Sequence, residues 1–246
     1  GESADYFGTD IEASPVAHYW SLSVEEQFYV LWPLALAALW ALAGRAGRHR
    51  HRVLQVAVAG LGLTSLAAAL RIGDDDLNSA YYGTDTRAYQ LLAGALLALA
   101  PGAMRALAAR TWARKTLPLL ASALLAGLVF LGTSQLDVSP ITRGALVTAV
   151  VVALLVALEA PGRGAVRSAL SWGPVVYLGK VSYGTYLWHW LVILVLQREA
   201  ELSPRGTLAV TVVVATGLAS LSYQVLEQPI RISPLLGRPR LRFGVI

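Results

Sequence analysis

No cysteine occurs among the 246 residues, which excludes disulfides, thiolate nucleophiles and cysteine-ligated metals. Charge is scarce too. Asp, Glu, Lys and Arg make up 14% of the chain, against about 25% in an average soluble domain. There is no glycine-rich phosphate loop, no G-x-S-x-G elbow and no H-E-x-x-H. The four histidines, His18, His49, His51 and His189, have no metal-ligand spacing, so no bound metal or cofactor is expected. The sequence opens at Gly1 on a polar stretch without a signal peptide, as expected of a truncated or partial chain.

What fills the chain instead is apolar: 56% of residues are hydrophobic, in runs too long for core helices. A spanning helix needs roughly 20 mostly apolar residues, with about 17 as a floor. On that basis about seven spans are expected, near 24–43, 53–70, 87–101, 117–132, 144–159, 174–197 and 207–228. In the sixth, residues 174–179 read as a short helix leading through Gly179 into the main span. The fold class is therefore all-α, a polytopic transmembrane helix bundle, with residues 1–246 as one transmembrane domain. The net charge is +5. The basic residues form short clusters between runs rather than a stripe, which argues for membrane loops and against nucleic acid. Arg45, Arg48, Arg50 and Arg52 follow the first span, Arg105, Arg110, Arg114 and Lys115 the third, Arg163, Arg167 and Lys180 the fifth, and Arg231, Arg238, Arg240 and Arg242 the seventh. The alternate loops carry Asp74, Asp75, Asp76, Asp85, Asp137, Glu199 and Glu201. This alternation places segment 1–22 outside and the tail 232–246 in the cytoplasm.

Ionisable residues inside spans are costly and suggest function. Trp20 to Pro33 puts two carboxylates at the outer mouth of the first span. Ser23 and Glu26 have capping-box spacing, a structural role for Glu26. Glu25 has no such role, and Tyr29 shares its face. Pro33 is read as a kink, either structural or opening a cavity. Arg87, after Tyr81, Tyr82 and Asp85, suits an anion such as a phosphate or carboxylate on an acceptor. It equally suits a snorkelling arginine or a partner for Glu25. Ser182, Tyr186 and His189 recur at i, i+4 and i+7, with His189 about 11 Å along the axis from Ser182 at roughly 1.5 Å per residue. His189 reads either as a helix–helix hydrogen bonder or as a base for an attacking hydroxyl. Trp188 and Trp190 fit an interface belt, packing or a pocket wall. Glu227 lies near the inner face, with Pro229 expected to end the helix and Arg231 within pairing distance.

Four segments carry a resemblance: His18 to Tyr29, Arg87 to Ala98, Leu178 to Trp190, and Glu227 to Arg231. Together, in order, they resemble the acyltransferase 3 family of bacterial integral membrane O-acyltransferases, over essentially the whole chain. The resemblance implies transfer of an acyl group, commonly acetyl from acetyl-CoA. The acceptor it implies is a hydroxyl of an extracytoplasmic sugar, glycolipid or secreted metabolite, and the location is the inner (plasma) membrane of a bacterium. Members usually have about ten spans, the first carrying an Arg and a His regarded as catalytic. This chain begins after those helices, so no residue here inherits that role, and the chain alone is expected to be inactive. Because the sequence stops soon after Arg231, the hydrolase domain that some relatives append is not expected in it.

Acyl transfer from a thioester to an alcohol needs a base, donors for the developing oxyanion, and a cavity joining donor to acceptor. Glu25 and His189 are the candidate catalytic groups. Trp20, Ser23, Tyr29 and Arg87 are expected near the acceptor, and Ser182, Tyr183, Tyr186 and Trp190 along the path of the acyl-CoA arm. The basic loops would attract the CoA phosphates. The rival reading is a transporter or flippase, although the spans lack the paired halves with interrupted helices that many transporters carry. A partner-binding scaffold without activity is a third reading.

Overall fold

The computed structural model describes residues 19–133, 135–159 and 164–232, apart from the side chains of Ser21 and Arg231. The expected outer segment up to residue 18 and the tail beyond 232 lie outside the described residues. So does the Arg231 side chain of the expected Glu227 pair.

Helices account for nearly all of it, and no strand occurs among the described residues. In lipid a backbone must satisfy its hydrogen bonds within its own segment, so apolar runs of this length become helices. They are α1 (Trp20–Leu42), a 3-10 stretch (Ala43–His49), α2 (Arg50–Asp75), α3 (Leu77–Tyr82), α4 (Thr84–Ala98), α5 (Pro101–Ala108), α6 (Thr111–Leu131), α7 (Pro140–Glu159), α8 (Ala165–Leu170), α9 (Gly173–Glu199), α10 (Pro204–Ser222), a π turn (Tyr223–Glu227) and α11 (Gln228–Ile232). The outward faces are greasy: Leu119 is 74% exposed, and Val56 and Val213 are each 72% exposed. Water would penalise such a surface and lipid does not. Four helical stretches are long and apolar enough to cross a membrane: Leu22–Asp75, Thr111–Leu131, Pro140–Glu159 and Pro204–Ile230. A fifth is added if Leu77–Ala98 and Pro101–Ala108, bent by 63°, form one broken span. The expected seven is thus not reached on length and apolarity alone, for two reasons. The 54-residue first stretch would extend about 80 Å at 1.5 Å per residue, far beyond a core of about 30 Å. It is divided by Gly47, whose φ of 51° and ψ of −122° only glycine adopts readily. The other reason is α9, whose Ser, Thr, Tyr and His side chains lower its apolarity.

The chain forms two compact units, one containing Tyr19–Leu170 and the other beginning at Ser171. In the first, Arg50 staples the α1–α2 turn. It donates through Nε (3.0 Å) and Nη2 (2.6 Å) to the Trp40 carbonyl and stacks 3.5 Å above the Trp40 ring. Two apolar clusters follow, Ala69, Ala80, Tyr89 and Ile141 joining α2, α3, α4 and α7, and Ala113, Leu117, Ala121, Leu154, Ala157 and Val166 joining α6, α7 and α8. Ser65 of α2 accepts the Tyr89 N–H at 3.0 Å and donates to the Asp85 carbonyl, which fixes the level of α4.

In the second unit α9 runs unbroken from Gly173 to Glu199, so the short helix expected over 174–179 is simply its first turns. Nothing in Gly179 forces a break inside a fully hydrogen-bonded helix. Gly184 lets α10 approach, since a Cβ there would lie 3.0 Å from Ala219 Cβ and 3.3 Å from its Cα. Small residues drive helix pairing where lipid supplies no hydrophobic force. Gly184→Val should therefore lower the thermal midpoint of the detergent-solubilised protein, by overpacking worth about 1–3 kcal/mol; an unchanged midpoint would contradict the close approach. Pro229 does not end the helix as expected. The π turn, in which Gln228 N–H bonds the Tyr223 carbonyl, absorbs the missing proline donor, and α11 continues through it.

Candidate functional site

In the first unit the helix starts converge. α1 begins at Trp20, with no side-chain cap. Ser23, already a turn inside, donates to the Trp20 carbonyl at 2.8 Å. The expected Ser23–Glu26 capping box is therefore not formed, because the helix starts earlier than the spacing assumes, and Glu26 is exposed. α3 is capped by Asp76, which accepts from the Ser79 hydroxyl (2.5 Å) and the Ser79 N–H (3.0 Å). These bonds hold its carboxyl below the usual carboxylate value. Gly83 joins α3 to α4 where a Cβ would meet Thr86 Oγ1 at 2.6 Å and Ser79 O at 2.9 Å.

That tight corner brings Tyr81 and Tyr82 against Trp20. Ring centroids are 5.0 Å apart for Trp20–Tyr81, 4.7 Å for Trp20–Tyr82 and 5.8 Å for Tyr81–Tyr82. Arg87, in the first turn of α4, lies 4.8 Å from the Trp20 ring and 5.3 Å from Tyr81, contacts worth about 0.5–2 kcal/mol each. Its Nη2 donates to Gln90 Oε1 at 3.2 Å, and Gln90 Nε2 donates to Tyr89 Oη at 3.2 Å. Thr84 Oγ1 donates to Gln27 Oε1 at 2.8 Å and ties α4 to α1. A cavity of about 320 Å³ opens beside Arg87, bounded also by Tyr81, Gln90, Arg143 and Thr148. Arg143 is fixed there by three bonds to the end of α6 and the loop that follows it, Nη1 to the Leu131 (3.3 Å) and Thr133 (2.7 Å) carbonyls and Nη2 to that of Leu136 (2.6 Å).

Trp20 and Arg87 thus come together, whereas Glu25 does not join them. Buried Val24 and the Gln27 amide mark the side of α1 that meets α4, and Glu25 and Tyr29 are exposed. The pairing of Arg87 with Glu25, one of the readings open for that arginine, is not formed. α1 runs through Pro33 unbroken.

In the second unit His189 Nδ1 lies 2.6 Å from the Tyr186 carbonyl. A carbonyl only accepts, so Nδ1 carries the proton and Nε2 is the basic nitrogen. The Tyr186 and His189 rings are 5.3 Å apart. A cavity of about 340 Å³ lies between Thr185, His189 and Ile193 of α9 and Thr207, Thr211 and Thr216 of α10. The Thr211 hydroxyl is buried and has no hydrogen-bond partner among the described residues. Of the expected stripe, only His189 lines this cavity. Ser182 is exposed and donates to the Gly179 carbonyl at 2.9 Å, and Tyr183, Tyr186 and Trp190 are not part of the lining. Trp188 donates to Ser222 Oγ at 3.3 Å, so it packs α9 on α10 rather than serving an interface belt. Sequence reasoning missed Arg143 and the threonine row, although Thr185–His189 and Thr207–Thr211 each have i, i+4 spacing. Among the described residues, no group of three or more His, Asp or Glu side chains could hold a metal ion.

The fold and these two clusters define a helical membrane protein with polar machinery set into apolar helices. Residues 3–223 match the family model described as an acyltransferase domain, and the chain belongs to the acyltransferase 3 family. It is 32% identical over 235 residues to the putative peptidoglycan O-acetyltransferase YrhL of Bacillus subtilis, covering 92% of this chain and 36% of that protein. It is 31% identical to the peptidoglycan O-acetyltransferase OatA of Listeria monocytogenes (93% and 37% covered), and 27% identical to the O-acetyltransferase OatA of Staphylococcus aureus (94% and 38%). The chain therefore spans well under half the length of these relatives. No solved structure matches it.

Proposed function

We propose that this chain is part of a membrane O-acyltransferase that moves an acetyl group from acetyl-CoA to a hydroxyl of an extracytoplasmic envelope carbohydrate, with peptidoglycan as the foremost acceptor class. The observation that carries this reading is the family match over residues 3–223, together with relatives named as O-acetyltransferases of peptidoglycan. In the reaction, the acceptor oxygen forms a C–O bond to the acetyl carbon, the thioester C–S bond breaks, and the hydroxyl proton leaves through a base to the departing thiol. His189, with Nε2 as its basic nitrogen, is suited to take that proton. The Thr185, Thr207 and Thr211 hydroxyls beside it suit the amide-bearing arm of the donor. The Trp20, Tyr81 and Arg87 cluster suits the acceptor. In the topology assigned by charge, the loops of residues 45–52 and 105–115 face the cytoplasm, where acetyl-CoA resides. Arg50 is already spent on Trp40, so attraction of CoA phosphates falls to its neighbours.

Membranes containing the full-length protein and acetyl-labelled CoA should yield label bound covalently to carbohydrate and released by mild base. Uptake of label without a covalent product would indicate a transporter instead. Because Glu25 stands apart from Arg87 and lines neither cavity, Glu25→Gln should lower transfer by less than about tenfold, below the 10²–10⁴-fold expected for loss of a general base. A larger loss would return it to the catalytic role read from the sequence.

A further inference from the structure

We infer that the cavity beside Arg87 recognises an oxyanion on the acceptor, so that the protein acylates anionic glycans in preference to neutral ones; this rests on the acyltransferase reading above. The cavity is bounded by two guanidinium groups, Arg87 and Arg143, and by no carboxylate among the described residues. Arg87 spends one of its five N–H donors on the neutral Gln90 amide, and its remaining recorded contacts are the faces of Trp20 and Tyr81. Those rings orient the guanidinium plane without neutralising it. Asp85, two residues earlier, is exposed and does not line the cavity. Arg143 adds a second positive charge that its three carbonyl partners hold in place but only partly offset. Two arginines on the wall of one cavity, with no carboxylate among the described residues that line it, repel each other, and an entering oxyanion relieves this through charge-assisted hydrogen bonds. Gln90, Tyr81 and Thr148 add neutral polar groups to the wall. The oxyanion is either a carboxylate on the glycan or a phosphate of a lipid-linked glycan, both of which fit a planar fork.

The test uses the full-length protein in membranes, with rates normalised to the amount of protein. Three acceptors are compared: glycan strands bearing free carboxylates, the same strands with carboxyls amidated, and amidated glycan linked to a lipid pyrophosphate. Wild type should lose at least about tenfold in kcat/KM, mainly through KM, when the anion it uses is removed. Loss on amidation that pyrophosphate does not restore identifies a carboxylate, and recovery on the pyrophosphate acceptor identifies a phosphate. Arg87→Gln should be slow on all three and indifferent among them. Arg87→Lys, which keeps the charge, should retain the preference at a reduced rate and guards against misfolding of the first variant. Wild type that treats the three acceptors alike would overturn the inference. So would Arg87→Gln that still discriminates among them. Wild type that transfers acetyl to none of them overturns the acyltransferase reading itself.

Discussion

His189→Ala in the full-length protein should lower kcat for acetyl transfer about 10²- to 10⁴-fold, the range for loss of a general base, with little change in either Michaelis constant. The expectation follows from the bond between His189 Nδ1 and the Tyr186 carbonyl, which fixes the tautomer and makes Nε2 the acceptor of a proton. It follows also from position, since among the described residues His189 is the one titratable side chain bounding the cavity between α9 and α10. A residue that only packs would behave differently, because its loss would lower the thermal midpoint and leave the turnover of the surviving protein near normal. His189→Gln separates the two roles. It keeps a hydrogen-bond donor near the Tyr186 carbonyl but supplies no base, so it should be as slow as the alanine variant with stability restored. Turnover within a few-fold of wild type in either variant would reduce His189 to packing.

Trp20→Ala should raise the acceptor KM about ten- to a hundredfold and leave that of acetyl-CoA unchanged. The indole touches both tyrosines and the Arg87 guanidinium at once. Aromatic pairs of this kind are worth about 0.5–1.5 kcal/mol each beyond their burial, and the cation–ring contact is of similar size. Without the ring, Arg87 loses its orientation and the tyrosines lose the surface that fixes them. Trp20→Phe keeps a ring and should recover most of the affinity. An unchanged acceptor KM in Trp20→Ala would place the acceptor elsewhere.

The helices were legible because lipid makes apolar run length nearly equivalent to helix. Each of the seven expected runs overlaps a helix, but the third, 87–101, passes the bend between α4 and α5, and the seventh, 207–228, continues from α10 through the π turn into α11. The short helices α3, α5 and α8 were not foreseen, being too brief for a periodic signal. Two local readings failed because a neighbour changed the register. The capping box at Ser23 assumed a helix start that Trp20 pre-empts, and the stop at Pro229 overlooked a π turn that accommodates the proline. Site residues were legible singly and not as sets. Trp20, Arg87 and His189 stand out by type and place. Their partners are brought in by contacts across the chain: Tyr81 and Tyr82 by the Gly83 corner, Arg143 by the carbonyls of the loop after α6, and Thr207 and Thr211 by close packing at Gly184. Ser182 and Tyr186 share a helical face with His189 but not its cavity, because α10 approaches along the line of Thr185 and His189.

Reconstitution in proteoliposomes of known orientation tests the central claim most directly. With acetyl-labelled CoA confined to the face carrying residues 45–52, base-labile label should appear on carbohydrate supplied at the opposite face, and the reversed arrangement should give none. Equal labelling from both faces, or free label crossing without ester formation, would contradict a transmembrane acyl transfer.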